Sequence, residues 1–332
     1  MTVSSLRKLV FVAILLALVV VSLGAYTRLT HAGLGCPDWP GCYGLIDVPE
    51  TAEQIATAEA AFPERPVEPA KAWNEMIHRY FAGSLGLVIL AIAIISLRNR
   101  AKGTPLFLPT FLLILVIFQA ALGMWTVTLK LMPIIVMAHL LGGFATLCLL
   151  FLLYLRLTPY RVPGGDWSIK KYTKYALVGI VILAGQIALG GWTSSNYAAL
   201  TCTQLPVCQS GWMGQLTFEH AFDLIPPKLE TYEFGHLDHD SRLTIHVMHR
   251  LGAMVTFFFL AWLAMMIFTK AQSGLFKKLS IGLLAVLLLQ VGLGISNIVL
   301  SLPLAIAVSH NVVAACLMLI LIMLTYSLKR KI

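Results

Sequence analysis

The sequence predicts an all-α membrane protein in which eight transmembrane helices form two pseudo-symmetric four-helix bundles. Of its 332 residues, 58% are hydrophobic and 12% are charged, and the mean hydropathy is +0.84. These values lie outside the range of soluble globular chains. A membrane-spanning helix needs about 20 mostly apolar residues. Eight such runs lie, to within a few residues, at 9–27, 73–97, 106–128, 133–156, 172–196, 244–269, 275–299 and 303–327.

The positive charges indicate how these helices cross the membrane. The net charge of +9 would suit a nucleic-acid partner, but the basic residues cluster in connections on one side of an even-spanning topology. The positive-inside rule places that side, with both termini, in the cytoplasm. The long loops 28–72 and 197–243 then lie outside. The clustered residues are Arg7, Lys8, Arg98, Arg100, Lys102, Arg156, Arg161, Lys170, Lys171, Lys174, Lys270, Lys277, Lys278, Lys329, Arg330 and Lys331.

The first apolar run also has an alternative interpretation, because two basic residues before an apolar stretch are typical of a cleaved signal peptide. The stretch is long for that purpose, and its counterpart in the repeat described next cannot be a signal. We therefore predict a first transmembrane helix. No transit peptide of the mitochondrial type is visible, which favours a bacterial inner membrane. The distribution of the positive charges gives no reason to expect a nucleic-acid partner.

An internal repeat relates the two halves of the chain. Cys36 and Cys42 recur as Cys202 and Cys208 at an offset of 166 residues. At an offset of 171 residues, His78-Arg79 recurs as His249-Arg250, Gln119 as Gln290 and His139 as His310. Each copy has four spans, so both copies enter the membrane from the same side.

The repeat defines the predicted domains. Residues 1–156 form the N-terminal bundle with outer loop 28–72, and residues 172–332 form the C-terminal bundle with outer loop 197–243. Residues 157–171 form a cytoplasmic linker, because prolines and glycines interrupt helices there. These linker residues are Pro159, Pro163, Gly164 and Gly165.

Four histidines lie within the predicted spans, and polar side chains in a membrane face the interior of the bundle and are candidates for function. They are His78, His139, His249 and His310. Each lies roughly 8–11 Å below the outer end of its helix at 1.5 Å per residue. For a single histidine, a neighbouring hydroxyl or carbonyl would be sufficient explanation.

Two histidines per bundle at one depth are the arrangement that grips a planar metal cofactor from both faces, which favours haem. A zinc site would need three or four converging ligands, and no further Cys, Asp or His at that depth recurs in both halves. Gly142 and Gly252 lie three residues after His139 and His249. Small residues there suit the approach of a flat macrocycle, although they also suit close helix packing.

Three charged residues border the histidines. Arg79 and Arg250 follow His78 and His249 directly and can reach haem propionates, or simply anchor the helices at the interface. Glu75 lies three residues before His78, where the second copy has His246. A carboxylate beside one site only predicts chemistry in the first bundle and electron transfer or structure in the second, unless Glu75 only complements the helix dipole.

The loop cysteines are expected to form disulfides, because both loops face the oxidising side. Prolines and glycines between Cys36 and Cys42 suit a tight turn. A structural staple is the favoured interpretation for Cys36–Cys42 and Cys202–Cys208, and an exchangeable redox pair is the alternative. Too few further Cys or His residues accompany them for a metal site.

These residues resemble the haem A synthase family over nearly the whole chain. The resemblance implies that His249 and His310 bind haem b, and that His78 and His139 hold haem O as the substrate, with Glu75 beside them. The implied reaction oxidises the C8 methyl group of haem O to a formyl group, for terminal oxidases. It needs an electron acceptor, and haem O synthase becomes an expected partner. The motifs are the run from Thr30 to Pro40 with Cys42, Glu75-x-x-His78-Arg79, His139, His249-Arg250 and His310.

Two other functions use the same features. A dihaem b-type electron-transfer protein would use the same histidines, but Glu75 and the common depth of all four argue against it. A transporter would suit parallel repeats, yet no broken helix is evident near the midplane. The oligomeric state is left open by the sequence.

The charge asymmetry generates a topology prediction. Reporter fusions at the C-terminus and in the connection 98–105 should report a cytoplasmic location, because both carry clustered basic residues. A fusion in loop 197–243 serves as the external control. An external C-terminus would contradict the eight-span topology and the common depth of the histidines.

Overall fold

The computed structural model describes residues 3–100, 103–158 and 166–330, and these form nine α-helices without a β-sheet. Eight helices are long and apolar enough to cross a membrane, which confirms the predicted spans. Residues 159–165, most of the predicted linker, lie outside the described residues. The helices are α1 (Val3–Leu29), α2 (Ala52–Ala61), α3 (Pro69–Arg98), α4 (Phe107–Thr128), α5 (Pro133–Leu157), α6 (Thr173–Ser195), α7 (His239–Lys270), α8 (Gly274–Val299) and α9 (Leu304–Lys329).

Helices α3 and α7 begin before the apolar runs that predict them. Pro69 occupies the first turn of α3, where its missing N–H costs no hydrogen bond. Asp238 caps α7 by accepting a hydrogen bond from the Ser241 backbone amide at 2.7 Å. Polar first turns of this kind extend a helix beyond its apolar run, so His78 and His249 lie deeper within their helices than the predicted bounds suggest.

Helix α2 was not predicted, because it is short and its hydrophobicity is low. A capping box begins it: Thr51 Oγ1 accepts from the Gln54 amide at 3.2 Å, and Gln54 Oε1 accepts from the Thr51 amide at 3.1 Å. Its one buried residue, Ala58, packs in an apolar cluster with Cys36 and Cys42. The first outer loop is therefore a folded layer with a small core of its own.

By its internal contacts the chain divides into two compact units. The first extends to Leu153 and also contains Leu224–His236, and the second contains the rest of the chain. The first unit thus holds α1 to α4 and most of α5, and the second holds α6 to α9. The prediction had assigned the whole of loop 197–243 to the second half.

The segment Leu224–His236 is held by the first unit through specific contacts. The Glu233 carboxylate forms an ion pair with Arg65 at 2.7 Å, and the Glu233 side chain is 8% exposed. The Tyr232 amide donates to the Lys130 carbonyl at 3.0 Å. Phe234 lies against His31, with 5.4 Å between ring centroids. These contacts join residues distant in sequence, so no local pattern predicts them.

The turns that follow corresponding helices recur in the two units. His31 and Tyr197 both adopt positive φ, at 53° and 54°, directly after α1 and α6. Leu131 and Leu302 do the same after α4 and α8, each at 64°. In the first two turns the amide of the following residue donates a hydrogen bond to a carbonyl of the last helical turn. In the other two turns the amide of the leucine itself does so. The repeat thus fixes local structure as well as span number.

Candidate functional site

The first predicted histidine pair comes together inside the first unit. His78 on α3 and His139 on α5 have ring centroids 6.4 Å apart, and the ring planes are nearly perpendicular at 82°. The Nδ1 atoms of both rings are buried without a hydrogen-bond partner among the described residues. Two half-buried imidazoles on different helices, each with a buried Nδ1 atom, therefore lie beside each other with unused polar capacity.

The second pair lies inside the second unit, where glutamines accompany both rings. His249 lies on α7 and His310 on α9. Gln186 Nε2 lies 3.0 Å from His249 Nδ1, and Gln290 Nε2 lies 3.2 Å from His310 Nε2. The two histidine pairs thus resemble each other in placement and differ in their hydrogen bonds.

Each of the four imidazole rings lies against a glycine of the preceding transmembrane helix. A Cβ atom at Gly24 would be 3.1 Å from His78 Cε1, and one at Gly123 would be 3.4 Å from His139 Cε1. In the second unit, Gly190 and Gly294 stand in the same way, at 3.1 and 3.2 Å, against His249 and His310. Any side chain on these glycines would crowd the rings.

Sequence reasoning missed these four glycines although a signal was present. Gly24 and Gly190 are related by the offset of 166, and Gly123 and Gly294 by the offset of 171. The glycines that the sequence did single out serve a different purpose: a Cβ at Gly142 would overlap the Gln119 side chain at 1.4 Å. Gly252 makes room for Gln186 in the same way, at 2.3 Å.

Glu75 and Arg79 tie the first disulfide loop to α3. Glu75 is buried, and its Oε2 accepts from the Cys36 amide at 3.0 Å while Oε1 pairs with Arg79 Nη2 at 2.5 Å. Arg79 Nη1 donates to the carbonyl of Gly41 at 2.5 Å and to that of Pro40 at 3.2 Å. Both ends of the loop are therefore bound one turn from His78.

In the second unit the equivalent arginine, Arg250, also binds the disulfide loop, but a different side chain contacts the arginine. Arg250 donates to the carbonyls of Cys202, Gln204 and Val207, and its Nε donates to His246 Nε2 at 3.2 Å. His246 thus replaces Glu75 as the residue that orients the arginine. The predicted contacts of Arg79 and Arg250 with haem propionates stay a prediction, and the contacts observed in both units are with loop carbonyls.

Both cysteine pairs are at disulfide geometry, which confirms the predicted bonds. The Cα atoms are 4.8 Å apart in Cys36–Cys42 and 5.2 Å apart in Cys202–Cys208. Cys36, Cys42 and Cys202 are fully buried in apolar clusters. Burial among apolar side chains agrees with a structural role for these bonds.

The residues present fit a haem group. Imidazole nitrogens bind a metal such as zinc at about 2.0–2.1 Å and lie about 1 Å from the ring centroid, so one ion between two opposed imidazoles sets the centroids roughly 6–6.5 Å apart. The 6.4 Å between His78 and His139 has this size. Within the described residues, no cluster of three or more His, Cys, Asp or Glu offers a site for a bare metal ion. A ligand pair suits a metal whose remaining ligands come from a macrocycle.

The fold and the site define a class: a multi-pass membrane protein with a pair of half-buried histidines within the spans of each of two four-span units. Comparison with known sequences then gives the family. Residues 7–322 match the cytochrome oxidase assembly protein family, COX15-CtaA. The match covers nearly the whole chain, so the chain belongs to this family.

Individual relatives carry a more specific name. A protein of Shewanella oneidensis named "Heme A synthase" is 51% identical over 98% of this chain and 97% of its own length. Proteins with the same name from Wolbachia pipientis subsp. Culex pipiens and Mesorhizobium japonicum are 27% and 26% identical. The former covers 91% of each chain, and the latter 92% of this chain and 85% of its own.

The glycine contacts generate a prediction with a control on the same helix. Gly294→Ala should lower the haem content of the purified protein several-fold, because the new Cβ would press on His310. Gly292→Ala should leave it unchanged, since a Cβ there meets nothing within 4 Å. Replacing Gly by Ala within a helix stabilises that helix by about 0.5–1 kcal/mol in both variants, so this effect cannot explain a difference in haem content between them.

The measurement is haem per chain, from the absorbance of the extracted pigment and the protein concentration. Equal haem content in the Gly294→Ala and Gly292→Ala variants would show that the close glycine contact has no role in haem binding.

Proposed function

We propose that this protein is a haem A synthase, a membrane oxidoreductase that oxidises the C8 methyl group of haem O to a formyl group. The observation that carries the proposal is the 51% identity, over 98% of the chain, with the heme A synthase of Shewanella oneidensis. The family match and the eight apolar helices agree with it.

The two units are proposed to bind different haems. His78 and His139 would hold haem O as the substrate, and His249 and His310 would hold haem b. The spacing of the first pair supports two-sided ligation. Haem b, when bound, would supply a one-electron carrier. The assignment of substrate to the first unit is supported by Glu75, the one buried carboxylate of the described residues, which has no acidic counterpart in the second.

Within the first unit, the side chains have separable tasks. The imidazoles of His78 and His139 orient the substrate, and their separation is set by helices α3 and α5. Glu75 and Arg79 hold the loop Cys36–Cys42 one turn away, which keeps this part of the outer layer in place and limits access of water. Glu75 is also the proposed proton acceptor, because oxidation of a methyl group releases protons and an ionised carboxylate receives them.

The reaction implies partners. Conversion of a methyl to a formyl group removes electrons and protons and adds an oxygen atom, so the reaction needs an electron acceptor and an oxygen donor such as water, and haem O must be supplied by a haem O synthase. We propose a location in the bacterial inner membrane with both termini in the cytoplasm, supported by the basic residues of the connections. The disulfides then face the periplasm, where such bonds persist.

The experiment expresses the protein in a host that makes haem O but no haem A, followed by extraction and chromatographic separation of the pigments. The wild type should produce haem A. His78→Ala, His139→Ala and Glu75→Gln should abolish it while most haem b stays bound, and His249→Ala or His310→Ala should lower haem b. Loss of a positioned proton acceptor costs about 10²–10⁴-fold in rate, so haem O or a hydroxylated intermediate should accumulate in Glu75→Gln.

Glu68→Gln is the matched control, because Glu68 is an exposed carboxylate at the start of the same helix and forms an ion pair with Lys71. Normal haem A yield from Glu75→Gln would show that the carboxylate serves the loop alone. Absence of haem A from the wild type, with equal loss of haem from both pairs of histidine variants, would favour the dihaem b-type electron-transfer protein.

A further inference from the structure

Gln186 is a polar side chain within the span α6 and contacts one histidine twice. Its Nε2 atom lies 3.0 Å from His249 Nδ1 and donates to the His249 backbone carbonyl, also at 3.0 Å. Its Oε1 atom is buried and has no hydrogen-bond partner among the described residues. The carboxamide carries both donors and an acceptor, so by turning over it can partner Nδ1 in either protonation state.

The backbone of α7 is shaped to receive this side chain. Gly252 lies one turn after His249, and a Cβ atom there would be 2.3 Å from Gln186 Oε1 and 3.1 Å from Leu189 Cδ1. Only a residue without a side chain leaves that space. Gln186 and Gly252 therefore form a fitted pair that restrains the His249 ring from the side of Nδ1.

The first unit lacks this fitted pair beside His78, and its own pair, Gln119 and Gly142, leaves the Nδ1 atom of the neighbouring His139 without a hydrogen-bond partner in the described residues. At the corresponding positions the repeat has Val20 and Phe81, so neither the carboxamide nor the space for it is present. The backbone carbonyl of Val20 faces the His78 ring, but His78 Nδ1 makes no hydrogen bond within the described part of the chain. His78 is thus held by packing against Gly24 and by the helix, without a side-chain partner.

We infer that Gln186 is a positioning residue that fixes His249 as a permanent haem ligand, and that its absence beside His78 makes the first site the exchangeable one. The inference rests on the proposed function, because it takes both histidine pairs as haem ligands. When the carboxamide turns so that Oε1 accepts from Nδ1–H, it orients the ligating histidine and makes it more basic, and loss of such a partner typically costs about 10–100-fold in affinity. A resident cofactor needs this retention, whereas a substrate that must leave as product does not.

The test measures transfer of haem from the purified holoprotein to excess apomyoglobin, followed by absorbance. Gln186→Val installs the residue of the first unit and should speed haem loss from the second site by about 10–100-fold. Gly252→Ala should act in the same direction, because it displaces Gln186 without changing it. Gly185→Ala on the same helix is the control, since a Cβ there meets open space.

A second readout separates positioning from general packing. Gln186→Glu offers an acceptor for Nδ1–H, so it should retain haem close to the wild-type rate while lowering the reduction potential, because a carboxylate makes the ligand more basic. The reciprocal change, Val20→Gln with Phe81→Gly, should slow transfer of haem from the first site.

Equal haem loss from Gln186→Val and Gly185→Ala, together with an unchanged potential in Gln186→Glu, would overturn the inference while leaving the proposed function intact. Wild-type protein that binds no haem in either unit would instead overturn the proposed function, and the inference with it. A poorly folding Gln186→Val variant leaves Gly252→Ala and Gln186→Glu to decide the question.

Discussion

The structure depends on one constraint: polar groups inside the membrane need hydrogen-bond partners or ligands. The hydrocarbon core offers no water, so every polar side chain in a span needs a partner within the bundle or a ligand. The four histidines meet this demand unequally. Gln186 contacts His249 at Nδ1 and Gln290 contacts His310 at Nε2, whereas the Nδ1 atoms of His78, His139 and His310 have no hydrogen-bond partner in the described residues. The difference between the units follows from how this single demand is met.

Duplication supplies the common scaffold, and a few substitutions within it differentiate the sites. Glycines against the rings, arginines on the disulfide loops and left-handed turns after corresponding helices recur in both units. The positions that break the repeat lie beside the histidines: Glu75 against His246, and Val20 against Gln186. A repeat therefore separates the residues that build the fold from those that assign each unit its task.

The sequence was sufficient for features that depend on composition or short spacing. An apolar run of about 20 residues has few alternatives to a spanning helix, so all eight spans were predicted and confirmed. The disulfides Cys36–Cys42 and Cys202–Cys208 were predicted because each closes a tight turn in an outer loop, and both are present. The roles of the four histidines as haem ligands stay predictions.

Features that depend on tertiary contact were missed or misassigned. The segment Leu224–His236 joins the first unit through the Arg65–Glu233 ion pair, which links residues far apart in the chain. Gly142 and Gly252 were expected to admit a macrocycle, yet each receives a glutamine from a neighbouring helix. Spacing places residues on one helix face, but it cannot show which side chain of another helix occupies the space opposite.

The central claim is that each unit binds one haem between two axial histidine ligands. Electron paramagnetic resonance of the oxidised protein loaded with haem O tests it most directly, because each pair of axial imidazoles gives its own low-spin signal. The account predicts two distinct signals, of which His78→Ala removes one and His249→Ala the other. A single signal that both variants abolish, or low-spin signals that persist in both, would contradict two separate sites.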